Sequence, residues 1–298
     1  MKKSPLFSLA VFILLLAIGL LISVTFGGNT VSTYRFDRSR AYTDVEMQLS
    51  FGPRTPGSQA HQKTINYILE QAQNAGWQVE LHQTQRMGHP ITNVIAKRPN
   101  PNMKQIIIGA HFDSRFYSDQ DSNPANYNQP VPGANDGASG VAVLLELSRS
   151  LPPNLPCEIW LVFFDAEDQG NIPGWDWILG SRAFVEEIPI NPAAVVIVDM
   201  IGDADLNIYL ERNSNPQLAS QIWETARNLG YEQYFIPQYK YSILDDHTPF
   251  LEKGYPAVDV IDFDYPYWHT TQDTLDKVSA ESLGIVGETI HAWLTTYD

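Results

Sequence analysis

A chain of 298 residues, 44% hydrophobic and 18% charged, has an ordinary globular composition and enough apolar area for a sizeable core. Its 34 acidic residues outweigh 19 basic ones, for a net charge of −15, and no Lys/Arg cluster occurs beyond Lys2–Lys3; both facts argue against a nucleic-acid partner. The single cysteine, Cys157 in "CEIWLVFF", excludes an intramolecular disulfide and reads as an inert buried thiol.

The first segment, "MKKSPLFSLAVFILLLAIGLLISVTFGGNT" (1–30), carries two lysines and then an uncharged run. Its apolar core is about 20 residues, enough to cross about 30 Å of hydrocarbon. It is expected to be an N-terminal transmembrane anchor, with a cleaved signal as the alternative. The lysines keep the N-terminus cytoplasmic, so the domain expected over 34–298 would face outside.

Beyond a short polar linker, "SRAYTDVEMQLSFG" and "SQAHQKTINYILEQAQNAGW" have the apolar spacing of helices, separated by the turn chemistry of "GPRTPGS". "WQVELHQTQ" and "TNVIAKR" read as strands, and "KQIIIGAHFDS" as a strand buried on both faces. A long polar loop covers 115–129. "NDGASGVAVLLELSRSL" is predicted as a helix with Asn135 or Asp136 near its cap, followed by the buried strands "EIWLVFFDAED" and "AAVVIVDMIG". "NPQLASQIWETARNLG" (helix), "PAVDVIDF" (strand) and "SAESLGIVGETIHAWLTTY" (helix) complete the pattern. Helices alternating with buried strands predict a single α/β domain, its central, mostly parallel mixed sheet flanked by helices.

In open α/β sheets ligands collect beyond the carboxyl ends of the strands. Here those ends carry His111 with Asp113, Glu167 with Asp168, Asp199, and the approach to His269, while Asp136 opens the helix after the long loop. Each has an ordinary structural alternative: Asp136 as an N-cap, Asp199 capping a turn, His111 donating to Asp113, His269 as a satisfied loop histidine. Together, beside apolar runs, they would be costly to bury unless paired or metal-bound. Histidine and carboxylate ligands without thiolate suit Zn²⁺ with an open position. Adjacent side chains on an extended segment point to opposite sides, so one of Glu167 and Asp168 can face a metal and the other a substrate. His61, His82, His89 and His291 read as structural.

The ordered motifs "AHFDS", "GANDGASGVAVLLELSR", "FFDAED", "GSRAF", "VDMIG", "DDHTPFL" and "YWHTTQDT" resemble the zinc aminopeptidase superfamily and the glutaminyl cyclases that share its fold. The cyclase branch implies one zinc on Asp136, Asp168 and His269, a proton shuttle at Glu167, and a carboxylate network of Glu167, Asp199 and Asp245. The aminopeptidase branch implies two zinc ions, with His111 and Asp199 completing a second site, Asp136 bridging, and Glu167 as general base.

Asp245, the first aspartate of "DDH", and Trp268 before the ligand histidine resemble the cyclases, with Trp268 walling the substrate pocket. Asp246 and His247 are then expected to cap and support the following turn. Asp168 departs from both branches, which more often carry Glu there. "QGNIPGWDWILGSR" does not align cleanly, leaving Trp175 and Trp177 both open as pocket residues. The resemblance implies an enzyme acting on peptide or protein N-termini: a cyclase making pyroglutamate, or an aminopeptidase releasing N-terminal residues. A third class is a binding protein on the same fold.

Overall fold

The computed structural model describes residues 34–297. The anchor expected over 1–30 lies outside them; among the described residues no helix is long and apolar enough to cross a membrane.

Two helices, α1 (Arg38–Ser50) and α2 (Gln59–Asn74), precede the hairpin of β1 (Gln78–Arg86) and β2 (His89–Arg98). The hairpin closes through Met87 and Gly88, both at positive φ (52° and 86°), as a turn matching the strand twist requires. Then follow β3 (Gln105–His111), α3 (Ala138–Ser150), β4 (Glu158–Phe164), α4 (Leu179–Glu187) and β5 (Pro192–Asp199). The chain ends with β6 (Ile208–Leu210), α5 (Pro216–Asn228), β7 (Phe235–Tyr239), α6 (Thr248–Glu252), β8 (Ala257–Ile261) and α7 (Ala280–Thr295).

The main sheet has the order β1-β2-β4-β3-β5-β8. β4, β3, β5 and β8 run parallel, while β2 joins β4, and β1 joins β2, antiparallel. The sheet is therefore mixed and mostly parallel at its centre, as the sequence predicts. A small parallel pair, β6–β7, stands apart from it.

The runs "IIIGA", "IWLVFF" and "AVVIVD" are buried on both faces because each face carries its own core. On one, Ile106, Ile108, Leu161, Val196 and Val198 pack with α3, α1, α5 and α7. On the other, Ile107, Val162, Phe164, Val195 and Ile197 pack with Phe184 and Val185 of α4 and Phe250 of α6. α3 is sheathed nearly all round, which accounts for its unbroken apolar sequence.

Register positions the chemistry. His111 pairs with Phe164 and Asp199 with Ile261, so the carboxyl ends of all the parallel strands finish along one edge. The elements without a clear sequence pattern are the short ones: α4 after a Gly/Trp-rich stretch, the three-residue β6 with β7, and the five-residue α6.

Candidate metal centre and its pocket

Beyond that edge the ionisable residues meet. Asp136, Asp168 and His269 bring one ligand atom each within 4.8 Å of one another, and so do His111, Asp136 and Asp199. Asp136 belongs to both sets. His269 Nε2 lies 2.7 Å from Asp168 Oδ1 and 3.8 Å from Asp136 Oδ2, while His111 Nε2 lies 3.1 Å from both Asp136 Oδ1 and Asp199 Oδ1. All five side chains are buried.

Asp136 is not a helix cap. α3 starts at Ala138 with Gly137 in the cap position at φ 87°, and no side chain caps it. A Cβ on Gly137 would stand 2.6 Å from the Asp113 carbonyl oxygen, so glycine is required both for the turn and for the approach. The Asp136 carboxylate is thereby left free to face the cluster.

Each donor is held by a neighbour the sequence reading did not single out for it. Asp113 accepts the backbone N–H of Glu167 (3.0 Å) and Asp168 (3.3 Å) and the side-chain amide of Gln169 (3.0 Å). Asp273 accepts the N–H of Asn135 (2.8 Å) and Asp136 (3.1 Å) and the hydroxyl of Tyr265 (2.7 Å). The buried Arg54 donates to the carbonyls of Phe112, Gly133 and Asp136. Asn135 ties the turn after Asp199, donating to the Met200 carbonyl and accepting the Gly202 N–H.

These restraints hold three non-glycine residues at positive φ: Ala166 before Glu167 (53°), Met200 after Asp199 (48°) and His269 itself (56°). Such positions cost on the order of 1–3 kcal/mol each and persist where the surroundings over-determine them.

The donor set fits a divalent cation. Asp136 Oδ2 and Asp168 Oδ2 are buried without a hydrogen-bond partner among the described residues, as metal-facing oxygens would be. His269 turns Nε2 to the cluster while its Nδ1 lies 3.4 Å from Asp119, the arrangement that orients a ligating imidazole. Two carboxylates and an imidazole suit zinc. The His111 set is equally buried and would accept a second ion, so the geometry alone admits one metal or two.

Glu167 stands beside this cluster and lines the same pocket. Burial holds its carboxyl well above the usual range; the His111 charge opposes this, and Asp168 and Asp245 reinforce it. Burial likewise brings Asp199 to about 7 and Asp168 to about 6. Glu167, Asp199 and Asp245 all line one pocket of about 250 Å³, with Asp136 and Asp168 at its base and Trp177, Trp268, Ile243, Ile261 and Phe263 around it. Its volume is below the 300–1,000 Å³ of typical drug-sized sites, room for a single side chain.

Between the two candidate tryptophans the structure chooses Trp177. It lines the pocket, stacks on His269 (centroids 6.0 Å apart) and receives the Arg115 guanidinium at 5.1 Å. Trp175 instead stacks on His89 at 3.6 Å, outside the pocket. Trp268 lines the pocket and stacks on His269 at 3.7 Å.

One expectation for "DDH" changes. Asp246 and His247 do not cap α6: His247 occupies the cap position with helical φ/ψ (−71°, −25°) and no side-chain cap bond. Both side chains are fully buried instead, with His247 Nε2 3.4 Å from Glu211 Oε2. The sequence also paired Asp245 with Glu167 and Asp199. The three share the pocket, and ligand-type oxygens of Asp245 and of Asp259 in β8 lie within 4.8 Å of each other. Asp259 gave no signal because a lone aspartate in "AVDVI" resembles any strand polar residue.

The other histidines are structural as expected: His61 bonds Asp165 at 2.7 Å, His82 bonds Glu187 at 2.9 Å, and His89 and His291 meet backbone carbonyls. Cys157 is buried, and burial pushes its thiol up to about 11.

Comparison with known proteins adds to this geometry. Residues 93–294 match Peptidase family M28. The glutaminyl-peptide cyclotransferase of Boiga irregularis is 26% identical over 82% of this chain and 77% of its own. The glutaminyl cyclase of Porphyromonas gingivalis is 33% identical and superposes with a TM-score of 0.81 over 87% of this chain and 98% of its own. A leucine aminopeptidase precursor from Bacteroides thetaiotaomicron is 29% identical, with a TM-score of 0.84 over 89% of this chain and 98% of its own.

Proposed function

The chain belongs to peptidase family M28, and from that membership we propose that it is a zinc-dependent glutaminyl-peptide cyclotransferase, closing an N-terminal glutamine to pyroglutamate with release of ammonia. The observation that carries this reading is Asp245, a buried carboxyl in the wall of a small pocket whose other side holds Glu167. The similarity to glutaminyl cyclases supports it.

Zinc held by Asp136, Asp168 and His269 would supply Lewis acidity toward the substrate's γ-carboxamide. Trp177, Trp268 and Phe263 enclose the glutamine side chain and exclude water. Enclosure brings the peptide's own α-amine onto the carbonyl carbon of that carboxamide, so the attack is effectively unimolecular. Glu167 takes a proton from that amine and returns it to the departing nitrogen. A shuttle of this kind needs both protonation states within reach, and burial beside other carboxyls raises Glu167 toward that condition. The Asp168 and Asp245 carboxyls add negative field around Glu167 and so favour its taking up the proton.

One observation favours a second reading. His111, Asp136 and Asp199 form a buried set competent for a second ion, as a dinuclear aminopeptidase would use, with Glu167 activating water. A paired assay on Gln-initiated and Leu-initiated peptides, with metal counted per chain, separates the two. The cyclase reading expects about one zinc, ammonia from the Gln-peptide, and a loss on the order of 10²–10⁴-fold on Asp245→Ala with zinc retained. Two tightly bound zinc ions, with hydrolysis of the Leu-peptide and no ammonia from the Gln-peptide, would hand the site to the aminopeptidase.

The proposal includes a location. The uncharged run after Lys2–Lys3 supports a membrane-tethered enzyme with its catalytic domain outside the cytoplasm, or a secreted one if the segment is cleaved. Protease applied to intact cells should then remove the domain; complete protection would refute that placement.

A further inference from the structure

The polar loop 115–129 takes no part in the reaction described above, yet it grips the turn that carries His269. The Gln120 N–H donates to the His269 carbonyl (3.1 Å), Asp121 Oδ2 accepts the Thr271 N–H (3.0 Å), and the Asn126 amide donates to the Thr271 hydroxyl (3.2 Å). These bonds help hold His269 at its φ of 56°. The Val131 N–H closes the neck of the loop on the Arg115 carbonyl (3.1 Å). Arg115 is where the loop departs, and its side chain is buried.

A buried guanidinium stays charged, so it needs an anion and acceptors for its N–H groups. Arg115 finds them all at the site. Nε lies 3.1 Å from both oxygens of Asp119 and Nη2 lies 2.6 Å from Asp119 Oδ2, a two-pronged pairing. Nη1 donates to the Asp168 carbonyl (2.9 Å) and Nη2 to the Gly170 carbonyl (3.1 Å). The guanidinium carbon stands 5.1 Å from the centre of the Trp177 ring. Each partner also belongs to the site. Asp119 Oδ1 is 3.4 Å from His269 Nδ1, Asp168 shares the buried cluster with His269, and Trp177 lines the pocket. One rigid plane thus meets the carboxylate behind His269, the backbone of Asp168 and the indole of the pocket wall.

We infer that Arg115 is a positioning residue that couples metal retention to the shape of the substrate pocket. Its fork fixes the Asp119 carboxylate. Asp119, so fixed, favours the His269 tautomer with its proton on Nδ1, which leaves Nε2 as the donor toward the cluster. The same plane holds the Asp168–Gly170 turn by two carbonyls and backs the Trp177 indole. Lysine would keep the charge without the fork: one ammonium cannot reproduce the flat, two-pronged grip on Asp119 together with both carbonyls. The inference rests on the ligand set proposed above, and not on which peptide reaction that set serves.

The test uses the full chain, with zinc and stripped of it. In Arg115→Lys the zinc dissociation constant, read by chelator competition without substrate, should rise about 10- to 100-fold. KM for the peptide that the wild type turns over, taken at saturating zinc, should rise several-fold as well. Asp119→Asn keeps the shape of the pair and leaves the guanidinium beside Trp177, so it should weaken zinc and leave KM near wild type. Trp177→Ala should raise KM and leave the zinc constant near wild type. Only Arg115→Lys should move both. If Arg115→Lys does not fold, Asp119→Ala takes its place: it leaves the guanidinium unanchored and should also move both constants. A residue needed only for folding would lower the unfolding midpoint and leave both constants of the folded protein alone. That result would overturn the inference, and so would a change in one constant without the other. Hydrolysis of a Leu-peptide, with no ammonia from a Gln-peptide, would sink the cyclase reading alone; KM is then taken on the Leu-peptide and the same outcomes decide the inference.

Discussion

The Asp113 carboxylate, just beyond the end of β3, accepts the backbone N–H of Glu167 at 3.0 Å across the gap to β4. With the N–H of Asp168 and the amide of Gln169 on its other oxygen, this one side chain seats the turn that carries Glu167 into the pocket and Asp168 into the buried cluster. The turn passes through Ala166 at φ 53°, so it would relax if released.

Asp113→Ala is therefore expected to cost stability and activity together. Leaving two buried N–H groups unpaired costs about 1–3 kcal/mol each. Urea unfolding should show a loss of that order, and the folded fraction should turn over more slowly because Glu167 has lost its seat. A fully active folded fraction would show that the turn holds its shape without Asp113.

The two acids of the turn should separate cleanly. Glu167→Gln is expected to lower kcat on the order of 10²–10⁴-fold with metal content near wild type. Asp168→Asn should lose metal, because its Oδ1 sits 2.7 Å from Nε2 of His269, the proposed ligand, and its Oδ2 is buried without a partner among the described residues. Metal analysis of the two variants reads the difference directly. The opposite pattern would reverse the roles.

How much of this the sequence discloses follows from what each residue does locally. The sheet was legible because strands buried on both faces are apolar throughout, and "IIIGAH", "WLVFF" and "AVVIVD" have no other use. His111, Glu167, Asp168 and Asp199 were legible for the same reason, as ionisable residues closing apolar runs. Asp136 was ambiguous because "NDG" before a helix is also capping chemistry; only the φ of Gly137 settles it. Asp113, Arg54 and Asp273 act by accepting or donating to backbone groups distant in sequence, and no local spacing records such bonds. Trp177 over Trp175 depends on how the loop before α4, within "QGNIPGWDWILGSR", folds back through Ile178 at φ 55°. Asp259 and His247 were hidden because their partners come from other elements.

That loop offers a test of the pocket wall. A Cβ on Gly170 would fall 2.0 Å from the Trp177 ring, so Gly170→Ala must displace the indole from its place against His269 and Arg115. KM for a Gln-peptide should rise, with the fold retained. Trp177→Ala should act in the same direction. Trp175→Ala, at the His89 stack outside the pocket, should leave KM near wild type. Equal effects from the two tryptophan variants would contradict the assignment of Trp177 to the pocket.

The last prediction concerns acid stability and stays clear of the metal ligands. Burial works against ionising Glu211, yet its contact with His247 and the N–H groups of Asn213, Ser214 and Ile243 hold its pKa down at about 2. An unfolded glutamate titrates near 4.3. The folded value is the lower one, so the folded state gains from the ionised form. That gain is complete above about pH 4.3 and is lost as the pH falls toward 2. Glu211→Gln removes this charge and replaces an all-acceptor carboxylate with a side chain that accepts on one end only. The variant should be less stable than wild type at pH 7, and the gap between their unfolding midpoints should narrow steadily between pH 4.3 and 2. Parallel stability curves across that window would mean that Glu211 gains nothing from its donors on folding. Its hold on the loop carrying Ile243 and Asp245 to the pocket would then come from packing alone.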